Sequence, residues 1–181
     1  MKRINTIAII VHTTASSTRS TVAQIMDYFL KFLRWQKGGY HYIIDRKGKV
    51  STMYDPRKME ATNGVLPSPC GRFSNLDSIH ISYIGGISDV DANEARNNIT
   101  KEQELALVQL LQELLKTYTW VKVLGHNQIN LKYCPSFWVP DWLRAWGFEE
   151  KFILDYDPFN IKNLVKNLKN PYTPNFYQKR K

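Results

Sequence analysis

The chain is poor in cysteine and histidine: its 181 residues hold two cysteines and four histidines. One possible pair, Cys70 with Cys134, makes no disulfide framework and gives little support to an oxidising compartment. Long apolar runs are absent too. The longest, Ile7 to Val11, is strand-sized, so no segment has the length of a membrane-spanning helix. It is also too short for the core of a secretory signal, and no small-residue cleavage site follows it. The chain is therefore expected to be made without its own export signal. Internal repeats, low-complexity tracts, an RNP motif and zinc-finger spacing are all missing, so nothing in the pattern supports nucleic-acid recognition.

What is present is ordinary for a soluble globular protein. Hydrophobic residues make up 43% and charged residues 23%, enough to bury a real core in one large domain or a domain plus an appendage. The formal net charge of +9 favours acidic partners: nucleic acid, a membrane surface or an anionic cell-wall polymer. Charge alone does not choose among them.

Ile7 to Val11 is nearly all apolar and β-branched apart from Ala8, the pattern of a central strand buried on both faces. It runs into His12 and the small polar cluster "TTASSTRS". Ser20 can cap a helix from Thr21 to about Gln36, with Val22, Ile25, Met26, Phe29 and Leu33 on one face and Gly38-Gly39 ending it. "YHYIIDRKGKVSTMY" reads as a hairpin turning at Arg46-Lys47-Gly48. Pro56 to Leu76 reads as a long loop, Ser78 to Ile84 as a strand closed by Gly85-Gly86. Thr100 and Gln103 form a capping box for a helix with apolar positions Leu107, Val108, Leu111, Leu114, Leu115 and Tyr118. Trp120 to Leu124 is a short strand ending near His126. Pro140 suits the first turn of a short helix that Gly147 stops. The order β-α-β-β-β-α-β-α predicts an α/β domain, a mixed central sheet flanked by helices. After Phe148 the composition shifts to Asn, Lys, Tyr and Pro. This divides the chain into a domain over 1–148 and an extension over 149–181, with a short helix near Ile161 to Leu168.

His12 and His126 each follow a predicted strand, and Cys134 lies eight positions after His126 with Lys132 between them. Two imidazoles and a thiolate suit a catalytic zinc that keeps a fourth position for water, chemistry that fits amide hydrolysis. Each residue also has an ordinary reading: a histidine satisfied at a strand end, a buried hydrophobic cysteine, a solvated loop lysine. Spacing alone does not join His12 to the other two.

The segments "IAIIVHTTAS", "GGYHYIIDRKGKV", "DSIHISYIGG", "ITKEQELALVQLLQELL" and "LGHNQINLKYCPSFWV" supply the join. In that order they resemble the zinc-dependent N-acetylmuramoyl-L-alanine amidases, the amidase-2 family that includes phage lysozymes of the T7 type and peptidoglycan recognition proteins. The likeness runs from about Ile7 to Trp146. It implies zinc (Zn2+) held by His12, His126 and Cys134, with Tyr40 and Lys132 as catalytic partners. The implied reaction cuts the amide between the lactyl group of N-acetylmuramic acid and L-alanine in peptidoglycan. Peptidoglycan or muropeptides are then the partners, with no nucleic acid and no membrane, and the protein is expected to be a monomer. A lysin made in the cytoplasm and acting on the wall after release fits best; a recycling enzyme or a delivered toxin are the alternatives. Two rival readings are a recognition module with little activity and an interaction module with an intracellular partner. Binding-only relatives typically lack the cysteine, which Cys134 supplies here.

Departures from the family pattern are specific. The loop "MEATNGVLPSPCGRFSNLDS" has no histidine where many relatives carry one, and Cys70 has no family role. His80 stands where the family often has glycine, and either fills core space or projects toward the cleft. His41 is expected to be structural, because strand alternation would point it away from Tyr40.

Overall fold

A computed structural model of the chain describes residues 6–57, 73 and 77–168. Most of the predicted loop, Cys70 included, and the end of the extension lie outside the described residues. Five strands form one mixed sheet: β1 (Ala8–Thr13), β2 (Tyr42–Ile44), β3 (Val50–Thr52), β4 (Ser78–Tyr83) and β5 (Lys122–Gly125), in the order β3-β2-β4-β1-β5. β1 pairs in parallel with β4 on one side and β5 on the other, and β2 pairs in parallel with β4. The β2–β3 hairpin pairs antiparallel; Gly48 makes its turn with φ 81°. Every residue of β1 and β4 is buried. The apolar run at Ile7 to Val11 therefore does become the central strand its composition predicts.

The helices are α1 (Val22–Asp27), α2 (Lys101–Thr117), α3 (Val139–Ala145) and α4 (Lys162–Lys166). α1 is shorter than expected and is capped by Thr21 rather than Ser20, through a capping box with Gln24. Its last turns loosen into a π-helical segment, Tyr28–Phe32. Arg34 then adopts φ 55°, a left-handed conformation that stops the helix before Gln36. The predicted apolar stripe holds: Ile25 and Phe29 are buried, with Val22, Met26 and Leu33 packed around them. Thr100 and Gln103 cap α2 as the sequence indicates.

Period-2 alternation divides the sheet into two chemically different faces. Ile9, Val11, Ile79, Ile81, Tyr83 and Val123 face α2 and α3 in the main core. In register with them along the chain, Ala8, Ile10 and His12 of β1 pair with Ser78, His80 and Ser82 of β4 on the opposite face. α2 and α3 are joined through buried Glu104, which accepts hydrogen bonds from the indole N–H groups of Trp142 (2.9 Å) and Trp146 (3.0 Å). Residues 149–168 pack on the same body. Phe152 and Ile153 enter the main core, and Ile161 and Val165 cover Trp138.

Replacing Glu104 by alanine removes the carboxylate acceptor of the buried Trp142 indole and of the half-buried Trp146 indole, so it should lower unfolding free energy by about 1–3 kcal/mol. Denaturant melts of the purified variant read this directly; an unchanged midpoint would remove Glu104 from the list of structural ties.

Candidate active site

Sites in parallel sheets form at the carboxyl ends of the strands, and two histidines stand there in this one. His12 stands at the penultimate position of β1, and His126 follows Gly125, the last residue of β5, in a single 3-10 turn. Cys134 comes from the loop between that turn and α3. The Nδ1 atoms of His12 and His126 are 3.2 Å apart, and Cys134 Sγ is 3.7 Å from His12 Nδ1. All three donor atoms lie within 4.8 Å of one another.

These separations can be tested against metal geometry. Zinc bonds of about 2.0–2.1 Å to nitrogen and about 2.3 Å to sulfur give tetrahedral edges of about 3.3 Å and about 3.6 Å. The observed 3.2 Å and 3.7 Å match two of the three edges, and the donor set as a whole lies within 4.8 Å, so the three side chains are placed to hold a metal ion. His126 Nε2 is buried without a hydrogen-bond partner among the described residues.

The loops are held by groups that carry no ligand atom. The Asn127 backbone N–H donates to the Cys134 carbonyl (2.7 Å), and its side-chain amide donates to the Phe137 carbonyl (3.1 Å). Gln128 accepts from the Gly125 N–H and donates to the Leu154 carbonyl, tying the His126 turn to the segment after α3. The Tyr83 hydroxyl donates to the Pro135 carbonyl at 2.6 Å. The Thr13 backbone N–H points at Cys134 Sγ (3.2 Å). Gly86, with φ 95°, lets the chain pass Thr13: a Cβ there would lie 2.2 Å from Thr13 Oγ1.

Electrostatics keep the site neutral in the absence of a cation. Burial, reinforced by His126, His80 and the charge of Lys132, holds the His12 imidazole well below its ordinary 6.5. Burial and then Lys132 lower His126 to about 4. Burial pushes the Cys134 thiol up to about 12, against the opposing pull of the Thr13 N–H and Lys132. Two neutral imidazoles therefore offer lone pairs, and the thiol needs only to lose its proton.

Tyr40 lies against this group. Its ring centroid is 5.4 Å from that of His12, and Phe29 braces its far side edge-on at 5.5 Å. Burial, and next the charge of Cys134, raise its phenol far above the ordinary value, so it stays protonated. Its hydroxyl reaches the Thr13 carbonyl at only 3.4 Å, a long hydrogen bond that leaves the proton available to a better acceptor. Lys132 is exposed at the rim, close enough for its charge to act on His12, His126 and Cys134.

Strand alternation misleads for His41. β2 begins only at Tyr42, so the period of two does not reach back to Tyr40 and His41, and both rings come onto the histidine group. His41 stacks on His80 at 5.8 Å, and His80 packs against His12. All four histidines of the chain are gathered at one place. The sign of this was in "SIHISY", where Ser78, His80 and Ser82 alternate with apolar residues and so mark a polar face.

With this geometry in hand, the similarity to known proteins is decisive. Residues 3–137 match the N-acetylmuramoyl-L-alanine amidase family. The chain belongs to that family. It is 32% identical over 148 residues to an endolysin of Klebsiella phage KP32, covering 78% of this chain and 87% of that one. It is 30% identical over 142 residues to the endolysin of Escherichia phage T7, with coverage of 78% and 87%. Among solved structures, PGRP-SA of Apis mellifera superposes with a TM-score of 0.62 at 19% identity, over 86% of this chain and 92% of that one. The Ph2119 endolysin from a Thermus scotoductus bacteriophage gives 0.58 at 24% identity, over 75% and 80%. The two structures speak for the fold; the sequence matches place this amidase in its family.

Two pH effects follow for the metal-free protein. His126 binds its proton near 6.5 when unfolded and only near 4 when folded. As pH falls through that interval the unfolded chain gains protons first, so stability is full above 6.5 and drops by up to about 3 kcal/mol by pH 4. Because only the thiol is protonated at neutral pH, metal uptake should release about one proton per ion. Calorimetry in buffers of different ionisation enthalpy measures that number, and a value near zero would contradict a Cys134 ligand.

Proposed function

We propose that this amidase is a zinc enzyme of the lysin type that hydrolyses the bond between the lactyl carbonyl of N-acetylmuramic acid and L-alanine in peptidoglycan. Family membership supports the reaction, and the convergence of His12, His126 and Cys134 within 4.8 Å supports the metal. That convergence is the observation that carries the reading, since 114 positions separate His12 from His126. A donor set of two imidazoles and one thiolate favours zinc over hard cations such as magnesium or calcium.

Bound there, zinc would polarise the scissile carbonyl and acidify a water molecule at its open position. The chain's own groups do the rest. His12 and His126 stay neutral, so that each has a ring nitrogen free of a proton to offer the cation. Tyr40, kept as a neutral phenol, donates a hydrogen bond to the oxygen on which negative charge develops, and Lys132 adds a positive charge from the rim. The general excess of positive charge suits a substrate whose stem peptides carry carboxylates. We further propose that residues 149–168 belong to the catalytic domain, since Phe152, Ile153, Ile161 and Val165 share its core.

The test is digestion of purified peptidoglycan by zinc-loaded and chelator-stripped protein, with mass spectrometry of the soluble products. Zinc-dependent release of stem peptides that begin with a free L-alanine amine is expected. Wall binding without release would instead indicate a recognition module. Cys134→Ala should lose zinc and activity together. Tyr40→Phe should keep zinc and lose roughly 10²–10³-fold in kcat; a Tyr40→Phe enzyme of normal rate would exclude the phenol from the reaction.

A further inference from the structure

His80 is fully buried on the histidine face of β4, at the position opposite Ile10. Its Nδ1 lies 3.0 Å from His12 Nε2, the ring nitrogen of His12 that faces away from His126 and Cys134. We propose that His80 is a positioning residue for the metal centre: by accepting a hydrogen bond from His12 Nε2–H, it fixes the tautomer and ring angle that present His12 Nδ1 as a ligand. This rests on reading His12, His126 and Cys134 as the metal ligands.

The direction of the bond follows from simple constraints. A nitrogen that ligates a cation cannot carry a proton, so a His12 that binds through Nδ1 carries its proton on Nε2. Only His80 Nδ1 as an acceptor can then make the 3.0 Å contact, which places the His80 proton on Nε2. The opposite tautomers are also self-consistent: His80 Nδ1–H donating to His12, with His12 Nδ1–H donating across the 3.2 Å gap to His126. That second arrangement blocks the site. The tautomer of His80 is thus a switch between a ring that offers a lone pair and a ring that offers a proton.

His80 is itself held firmly. Its backbone N–H donates to His41 Nδ1 (3.0 Å), and its carbonyl accepts from the His41 backbone N–H (2.9 Å). The two imidazoles stack almost parallel, 8° apart. Accepting from a backbone N–H requires His41 Nδ1 to be unprotonated, so His41 is neutral and its orientation is set by main chain. His41 therefore steadies His80, and His80 steadies His12. A partner on the distal nitrogen of a ligating histidine is worth 10–100-fold in metal affinity where this has been measured.

The experiment compares zinc affinity by chelator competition, and the cobalt(II) absorption spectrum, in the full chain carrying His80→Leu or His80→Asn. His80→Leu fills the space but accepts nothing, and should bind zinc about 10–100-fold more weakly with an altered cobalt spectrum. His80→Asn keeps an acceptor close to the Nδ1 position and should recover most of the affinity, which a purely space-filling role would not predict. Equal affinity and identical spectra for wild type and His80→Leu would overturn the proposal. Should His80→Leu fail to fold, 15N spectra of the imidazoles in the zinc-loaded wild type decide. A His80 proton on Nε2 supports the assignment and one on Nδ1 overturns it. Wild-type protein that takes up no metal would sink the metal reading before any variant is made, and this proposal with it.

Discussion

Parallel pairing of β1 with β4 and with β5 is the constraint on which the rest of the site depends. With Ile10 opposite both His80 and Leu124, the end of β1 projects beside the turn that follows β5. One residue of slip in either ladder would exchange the two faces of a strand and send a histidine into the main core among isoleucines. The hydrophobic face prevents that. Ile9, Val11, Ile79, Ile81 and Val123 are each almost wholly buried against α2 and α3, and each contributes about 1.5–3 kcal/mol through burial. The apolar face thus pays for the accuracy of the polar one.

Burial then sets the chemistry. In the same environment that makes the strands stable, charged imidazole and thiolate are both disfavoured, so the site is neutral until a cation supplies compensation. Tyr40 experiences the same desolvation and remains a donor. Lys132, by contrast, stays exposed at the rim of the group.

Much of this was legible in the residues. β1 reads as an apolar run closed by polar residues and β4 as an alternating segment closed by Gly85-Gly86, and the capping box at Thr100 marks the start of α2 to the residue. Donor types at His12, His126 and Cys134 suggested a metal, but joining them required the ordered motifs of a family, because no local pattern reports that β1 and β5 are neighbours. What was not legible depends on strand limits and on contacts across strands. The helix after Ser20 stops early because Arg34 turns left-handed, which no periodicity in that segment indicates. For His41 alternation gives the wrong direction, because β2 starts two residues after Tyr40. The sequence leaves His80 either packing in the core or facing the cleft; it touches His12, and the β1–β4 register that brings the two together has no local signal.

The most direct test of the metal centre is zinc K-edge X-ray absorption on the metal-loaded protein. The expected spectrum has one sulfur at about 2.3 Å and two imidazole nitrogens at about 2.0–2.1 Å, with a remaining light scatterer completing four-coordination. Loss of the sulfur shell in Cys134→Ala should accompany it. A zinc shell without sulfur, or protein that retains no zinc, would contradict the site built from His12, His126 and Cys134.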